Sequence, residues 1–176
     1  LTGEGEFALI KQYLENALHT STSWMGTHDV YAALVDVAAV HYDEAVIRQY
    51  APQAEDLAMR HGHALYQAVI DRAWGVAHRL AGEYDAAAVQ LNRALAILRG
   101  LGARWQIGRT LYELGQLAVT QGYRDSAHAH FIQALAAFET MRAAPDVERV
   151  KAAISLNSSI KGGKSPGEEA HPAAGR

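Results

Sequence analysis

The chain has no cysteine, so neither a disulfide framework nor a thiolate metal site is open to it, and a reducing cytoplasm is the compartment expected. It has no long hydrophobic run. No stretch approaches the roughly eighteen consecutive apolar residues of a membrane-spanning helix, and Leu1 to Phe7 carries neither a basic region nor an apolar core, so neither membrane insertion nor export is expected. It also has no surplus of positive charge. Lysine and arginine number 16 against 19 acidic residues, for a net charge of -3, whereas a nucleic-acid surface needs a cationic face to release counterions from phosphates. Proline occurs four times and phenylalanine three, and threonine and isoleucine, which like phenylalanine favour strands, are also sparse.

What the chain does have is alanine, in pairs and triplets, within a composition that is 49% hydrophobic and 20% charged. That balance suits helices packed through small residues. At 176 residues the length suits one domain, which would hide roughly 70% of the surface of its unfolded form.

The helices are organised by internal repetition. Residues 82–98 and 122–138 align without gaps at a step of forty: Gly82 with Gly122, Asp85 with Asp125, Ala87 with Ala127, and Ala94-Leu95-Ala96 with Ala134-Leu135-Ala136. Bulk is kept at Leu91/Phe131 and Leu98/Phe138, and Trp74-Gly75 upstream matches Leu114-Gly115. Forty residues earlier a more eroded copy keeps Leu34-Val35, Ile47, Ala51, Ala54 and Ala58, and Gly62 pairs with Gly102. Alanine-rich helices align easily by chance, so the glycines, aspartates and bulky positions carry this alignment.

Within a unit the apolar period is helical, with Leu65, Ala68/Val69, Ala73, Ala77 and Leu80 on one stripe and Ala87, Leu91, Ala94/Leu95 and Leu98 on another. Each unit is therefore two helices, with Gly82 and Gly122 ending one at positive φ and Asp85 and Asp125 capping the next. The predicted helices span 5–21, 27–41, 44–60, 64–81, 85–100, 104–121, 125–141 and 145–156. The expected domain is thus 1–156: a half unit (5–21), units at 27–62, 64–102 and 104–141, and a capping helix. The Gly- and Pro-rich remainder, 157–176, is expected to be disordered.

A bulky residue before a small one in the first helix, a small residue opening the second, and a large apolar residue and an alanine after it form the pattern of tetratricopeptide repeats. Trp74-Gly75, Ala87, Leu91 and Ala94 match it in one unit, and Leu114-Gly115, Ala127, Phe131 and Ala134 in the next. Over residues 27–141 the chain resembles that family, with two departures: a step of forty where about thirty-four is usual, and no proline at Arg99 or Glu139. The resemblance implies an all-α, right-handed solenoid of antiparallel helix pairs, about seven to eight helices in all. The long, alanine-rich units also resemble repeats C-terminal to nucleotide-driven bacterial regulators and cyclase-linked ATPases, which implies a piece of a larger signalling protein.

The family's concave wall is made by the first helix of each unit, and positions projecting from the packed stripe there are the candidate groove. They are Asp29 and Asp36, then Arg72 and Arg79, then Arg109, Tyr112, Glu113 and Gln116. Arginine forks take carboxylates at two points and tyrosine offers a flat amphipathic contact, so an extended acidic peptide is the expected ligand. A solvated helix face with no ligand is the competing reading of the same residues. The Lys and Asn carboxylate clamp of some family members is not reproduced, since Ala32, Asp36, Arg72 and Val76 stand at its places.

Other motifs lead nowhere. His128 and His130, two apart on a helix, point away from each other, and His61 and His63 flank Gly62 without an evident third ligand, so no metal is assigned. Gly162-Gly-Lys-Ser165 imitates a phosphate-binding loop, but Ser158 stands where its opening glycine belongs. Ser21 and Ser23 sit in no nucleophile-elbow motif. No catalytic residue, cofactor or metal is assigned, and the chain is expected to be no enzyme but a scaffold binding a protein or peptide. A spacer or oligomerising solenoid, or a helical sensor of a small ligand, are the alternatives, and exposed solenoid ends would promote self-association.

Overall fold

In the computed structural model, residues 3–20 and 24–159 are described, and they form eight α-helices: α1 (Gly3–Thr20), α2 (Trp24–Val40), α3 (Glu44–Arg60), α4 (Ala64–Leu80), α5 (Tyr84–Leu101), α6 (Arg104–Thr120), α7 (Arg124–Thr140) and α8 (Ala144–Ser159). The predicted helices match in number and place. Most ends agree to within one residue; α1 begins two residues early, α2 begins three residues early, turning a predicted loop at Trp24 into helix, and α8 runs to Ser159, beyond the expected start of the tail. Positions 160–176 and the serines at 21 and 23 lie outside the described residues.

The turns repeat every twenty residues. Position 42, 62, 82, 102, 122 or 142 takes a positive φ of 55–80° in each, occupied by glycine in the middle four and by Tyr42 and Arg142 at the ends. Its amide donates back three residues, as Gly82 does to Arg79, and the next amide reaches back five, as Glu83 does to His78 at 2.8 Å. These paired bonds close the last carbonyls of every helix from α2 to α7 in the same way. The expected caps at Asp85 and Asp125 are displaced. The cap positions are Glu83 and Tyr123, without side-chain capping bonds, and the aspartates sit in the first turn, where their charge complements the helix dipole. Asp43 does cap α3, accepting from the Val46 amide at 3.0 Å.

Successive helices pack as antiparallel neighbours, most extensively α4 on α5 and α6 on α7. This is an α-solenoid. The small residues of the repeat permit the close approach: Gly75 faces Leu91, and Gly115 faces Phe131 forty residues later. Leu91, Leu98, Phe131 and Phe138 are fully buried, each contributing about 1.5–3 kcal/mol. The ends of the predicted α4 stripe are less covered, since Leu65 and Leu80 are about two-fifths exposed. The first helices α2, α4 and α6 also touch one another across the units, which places them on the inner side of the stack.

One polar member of the interior carries no sequence signal. Asp71, on α4, is fully buried and gripped by both Nε and Nη2 of Arg93 from α5, with Glu55 of α3 beside them at 3.5 Å from the same guanidinium. Burial pushes the Asp71 carboxyl up, against the pull of Arg93.

Candidate functional site

Because α2, α4 and α6 lie side by side, their inward polar residues meet across units. Asp36 on α2 takes Arg72 of α4 on one oxygen at 2.6 Å and Arg109 of α6 on the other at 2.7 Å. Arg72, 1% exposed, also donates to the Gln106 side chain at 2.5 Å, so a carboxylate offsets the charge of a guanidinium removed from water and an amide accepts a further bond from it. Burial alone would raise the Asp36 carboxyl, but Arg72 and Arg109 outweigh it and hold it below its ordinary value. Burial and the repulsion of Arg109 push Arg72 down to about 10, which leaves it charged at neutral pH.

Two turns farther along α4, Arg79 reaches Glu113 of α6 at 3.3 Å. The Tyr42 hydroxyl donates to the other Glu113 oxygen at 3.4 Å, and the Arg79 guanidinium lies 5.1 Å from the Tyr42 ring centre. Tyr42 is the strained, left-handed residue of the first turn, a conformation bulky side chains rarely adopt. Burial drives the Glu113 carboxyl above its ordinary value despite Arg79, Arg72 and Arg149.

From α8, Arg149 lays its guanidinium 4.7 Å from the Tyr112 ring centre and donates to Asp146 at 2.8 Å. Gln116 fixes the Tyr112 hydroxyl from the other side at 2.7 Å. Four guanidinium groups, Arg72, Arg79, Arg109 and Arg149, thus gather on one face with Asp36, Glu113 and Asp146, inside a chain whose net charge is negative. The Nε atoms of Arg79 and Arg149 are buried without a hydrogen-bond partner. A cleft of about 10 Å³, room for one water-sized atom, is lined by Arg72, Arg109, Arg149 and Glu113. Beside it opens an apolar recess of about 440 Å³ between α6, α7 and α8.

The structure therefore brings seven of the eight expected groove residues, Asp36, Arg72, Arg79, Arg109, Tyr112, Glu113 and Gln116, onto one face, but not as an exposed wall. Arg72, Arg109, Tyr112 and Glu113 are buried, because the neighbouring first helices approach closely enough to pair them with one another. Asp29 stands apart. It is exposed, accepts from Tyr66, and borders a shallow groove of about 210 Å³ that Asp36 also lines. Tyr42, Asp146 and Arg149 have no place in the sequence reading, although the forty-residue step from Arg109 lands on Arg149. Trp105, which stands forty residues after Leu65, is 41% exposed, donates to Asp146 at 2.9 Å and lies under Arg109.

The histidines gather differently from expectation. His28 joins His61 and His63, its ring stacked on His63 with centres 4.8 Å apart, and the rings lie against one another instead of converging on a point. Among the described residues, no group of three His, Asp or Glu has the arrangement to hold a metal ion, and no helix is long and apolar enough to cross a membrane. Compared with models of known protein families and with curated proteins, the sequence matches none.

Proposed function

We propose that the chain is a tetratricopeptide-like binding module whose inner face takes an acidic segment of a partner protein. The observation that carries this reading is the excess of guanidinium groups on that face, two of which keep a buried Nε–H without an acceptor. The Arg149 side chain is 37% exposed, and a carboxylate arriving from a partner would take its outward donors in a charge-assisted bond. Burial raises the Glu113 carboxyl above its ordinary value despite the neighbouring arginines. Together with the repeat's likeness to the tetratricopeptide pattern, this supports a role as the partner-holding part of a larger signalling protein.

A second reading has an observation of its own. Asp36 already satisfies both Arg72 and Arg109, as a spacer solenoid that needs no ligand would arrange it. Fluorescence anisotropy with labelled dodecapeptides alternating glycine with glutamate, glutamine or lysine separates the two. The glutamate peptide should bind, and bind less well as salt rises from about 50 to about 300 mM. Equal binding of the glutamate and glutamine peptides would sink the acidic-ligand reading and leave the spacer.

A further inference from the structure

The basic cleft and the apolar recess share a wall. Arg149 lines both, and Tyr112, on which its guanidinium rests, lines the recess together with Val119, Phe131, Ala152 and Leu156. The recess, at about 440 Å³, has the size of a small-ligand pocket; the buried ring of Phe131 lies at its floor, and the two-thirds-exposed Leu156 at its rim is apolar surface left open to water. The Arg149 side chain, which lines both cleft and recess, is 37% exposed.

We infer that the ligand of this face is a peptide segment in which a carboxylate and a large apolar side chain stand on adjacent residues, the carboxylate meeting Arg149 and the apolar side chain filling the recess between α6 and α8. The inference rests on the acidic-ligand reading above and narrows it. Charge complementarity selects the carboxylate, because the guanidinium cluster outnumbers its acids. The apolar half follows from the recess lining, where burying a ring would cover Val119, Ala152 and Leu156 above the buried Phe131. Adjacency follows from Arg149 belonging to both: neighbouring Cα atoms lie about 3.8 Å apart, so one residue can face the guanidinium while the next faces the recess.

The test uses four octapeptides with a central Glu-Phe, Glu-Ala, Gln-Phe or Gln-Ala in a Gly/Ser frame, titrated into the full chain by calorimetry. Glu-Phe should bind best, with each single change costing roughly tenfold in affinity. Arg149→Gln should erase the preference for Glu and keep that for Phe. Ala152→Trp, which fills the recess from an exposed position, should do the reverse. Circular dichroism of both variants confirms the fold. If Glu-Phe and Glu-Ala bind equally, the composite site is wrong while the acidic reading stands. If no peptide binds, both fall. If the chain self-associates and Ala152→Trp abolishes that, a second copy occupies the recess, and the inference fails.

Discussion

A β-carbon placed on Gly115 would lie 2.4 Å from Cε1 of Phe131, inside any allowed contact, and Gly75 stands in the same relation to Leu91, at 2.5 Å from its Cγ. The two pairs are forty residues apart and set the spacing between the helices of their units. Phe131 is fully buried and cannot swing into solvent. Gly115→Ala should therefore destabilise by about 1–3 kcal/mol even after the gain in helix propensity. Gly100, in the last turn of α5 with nothing within 4 Å of a built β-carbon, is the control, and Gly100→Ala should stabilise by up to about 1 kcal/mol. Urea midpoints moving in the same direction for both would show that the contact does not set the helix spacing.

The first and last of the twenty-residue turns carry side chains in the left-handed region, Tyr42 at φ 56° and Arg142 at φ 55°. Tyr42 is held by Glu113 and Arg79, whereas Arg142 is exposed and its backbone bonds Glu139 and Ala144. Arg142→Gly should relieve the strain at little cost in contacts and raise stability by about 1 kcal/mol. An unchanged or lowered melting temperature would show that the side chain contributes more than its backbone conformation costs.

The helices were legible because the chain punctuates them: glycines at 62, 82, 102 and 122 mark four of six turns, and the apolar period fills the intervals. Tyr42 and Arg142 hide the other two from a glycine search, and only the twenty-residue count reveals them. The site was legible in part. A helical projection picks out Asp36, Arg72, Arg109 and Glu113 as off the packed stripe, but it holds no information on how near the next first helix comes. That nearness is what buries them. Arg149 lies on α8, the capping helix, which has no counterpart in the repeat's groove pattern. Asp71 escaped because its place in the next unit is held by Leu111, so the repeat pattern predicts an apolar residue there.

That substitution within the repeat makes a prediction. Arg93→Gln leaves the buried Asp71 carboxylate without its partner and should cost about 3 kcal/mol at neutral pH. The corresponding pair one unit later is Leu111 and Gln133. Asp71→Leu combined with Arg93→Gln should then recover stability to within about 1 kcal/mol of the native chain, since an apolar replacement of a buried ion pair is commonly neutral. A double variant no better than the single one would show that Glu55, beside Arg93, depends on the pair as well.

The two carboxylates of the inner face should respond to pH in opposite senses. Asp36 is held below its ordinary 3.8, so its contribution to stability is present above that pH and is lost as pH falls through its lower, folded value. Asp36→Asn, which strands Arg72 and Arg109, should cost about 3 kcal/mol at neutral pH, and the penalty should shrink below about pH 3.8. Glu113 is driven above its ordinary 4.5, chiefly by burial, so its contribution is complete below that pH and is lost as pH rises through its folded value. Glu113→Gln keeps an acceptor for Tyr42 and Arg79 but cannot ionise. Its stability relative to the native chain should therefore improve as pH rises from about 4.5, the reverse of what is expected of an acid held by salt bridges. Urea unfolding of the three proteins at about pH 3.5, 4.5 and 7 measures both slopes. Parallel slopes for the two variants would mean that the arginines, and not burial, govern Glu113.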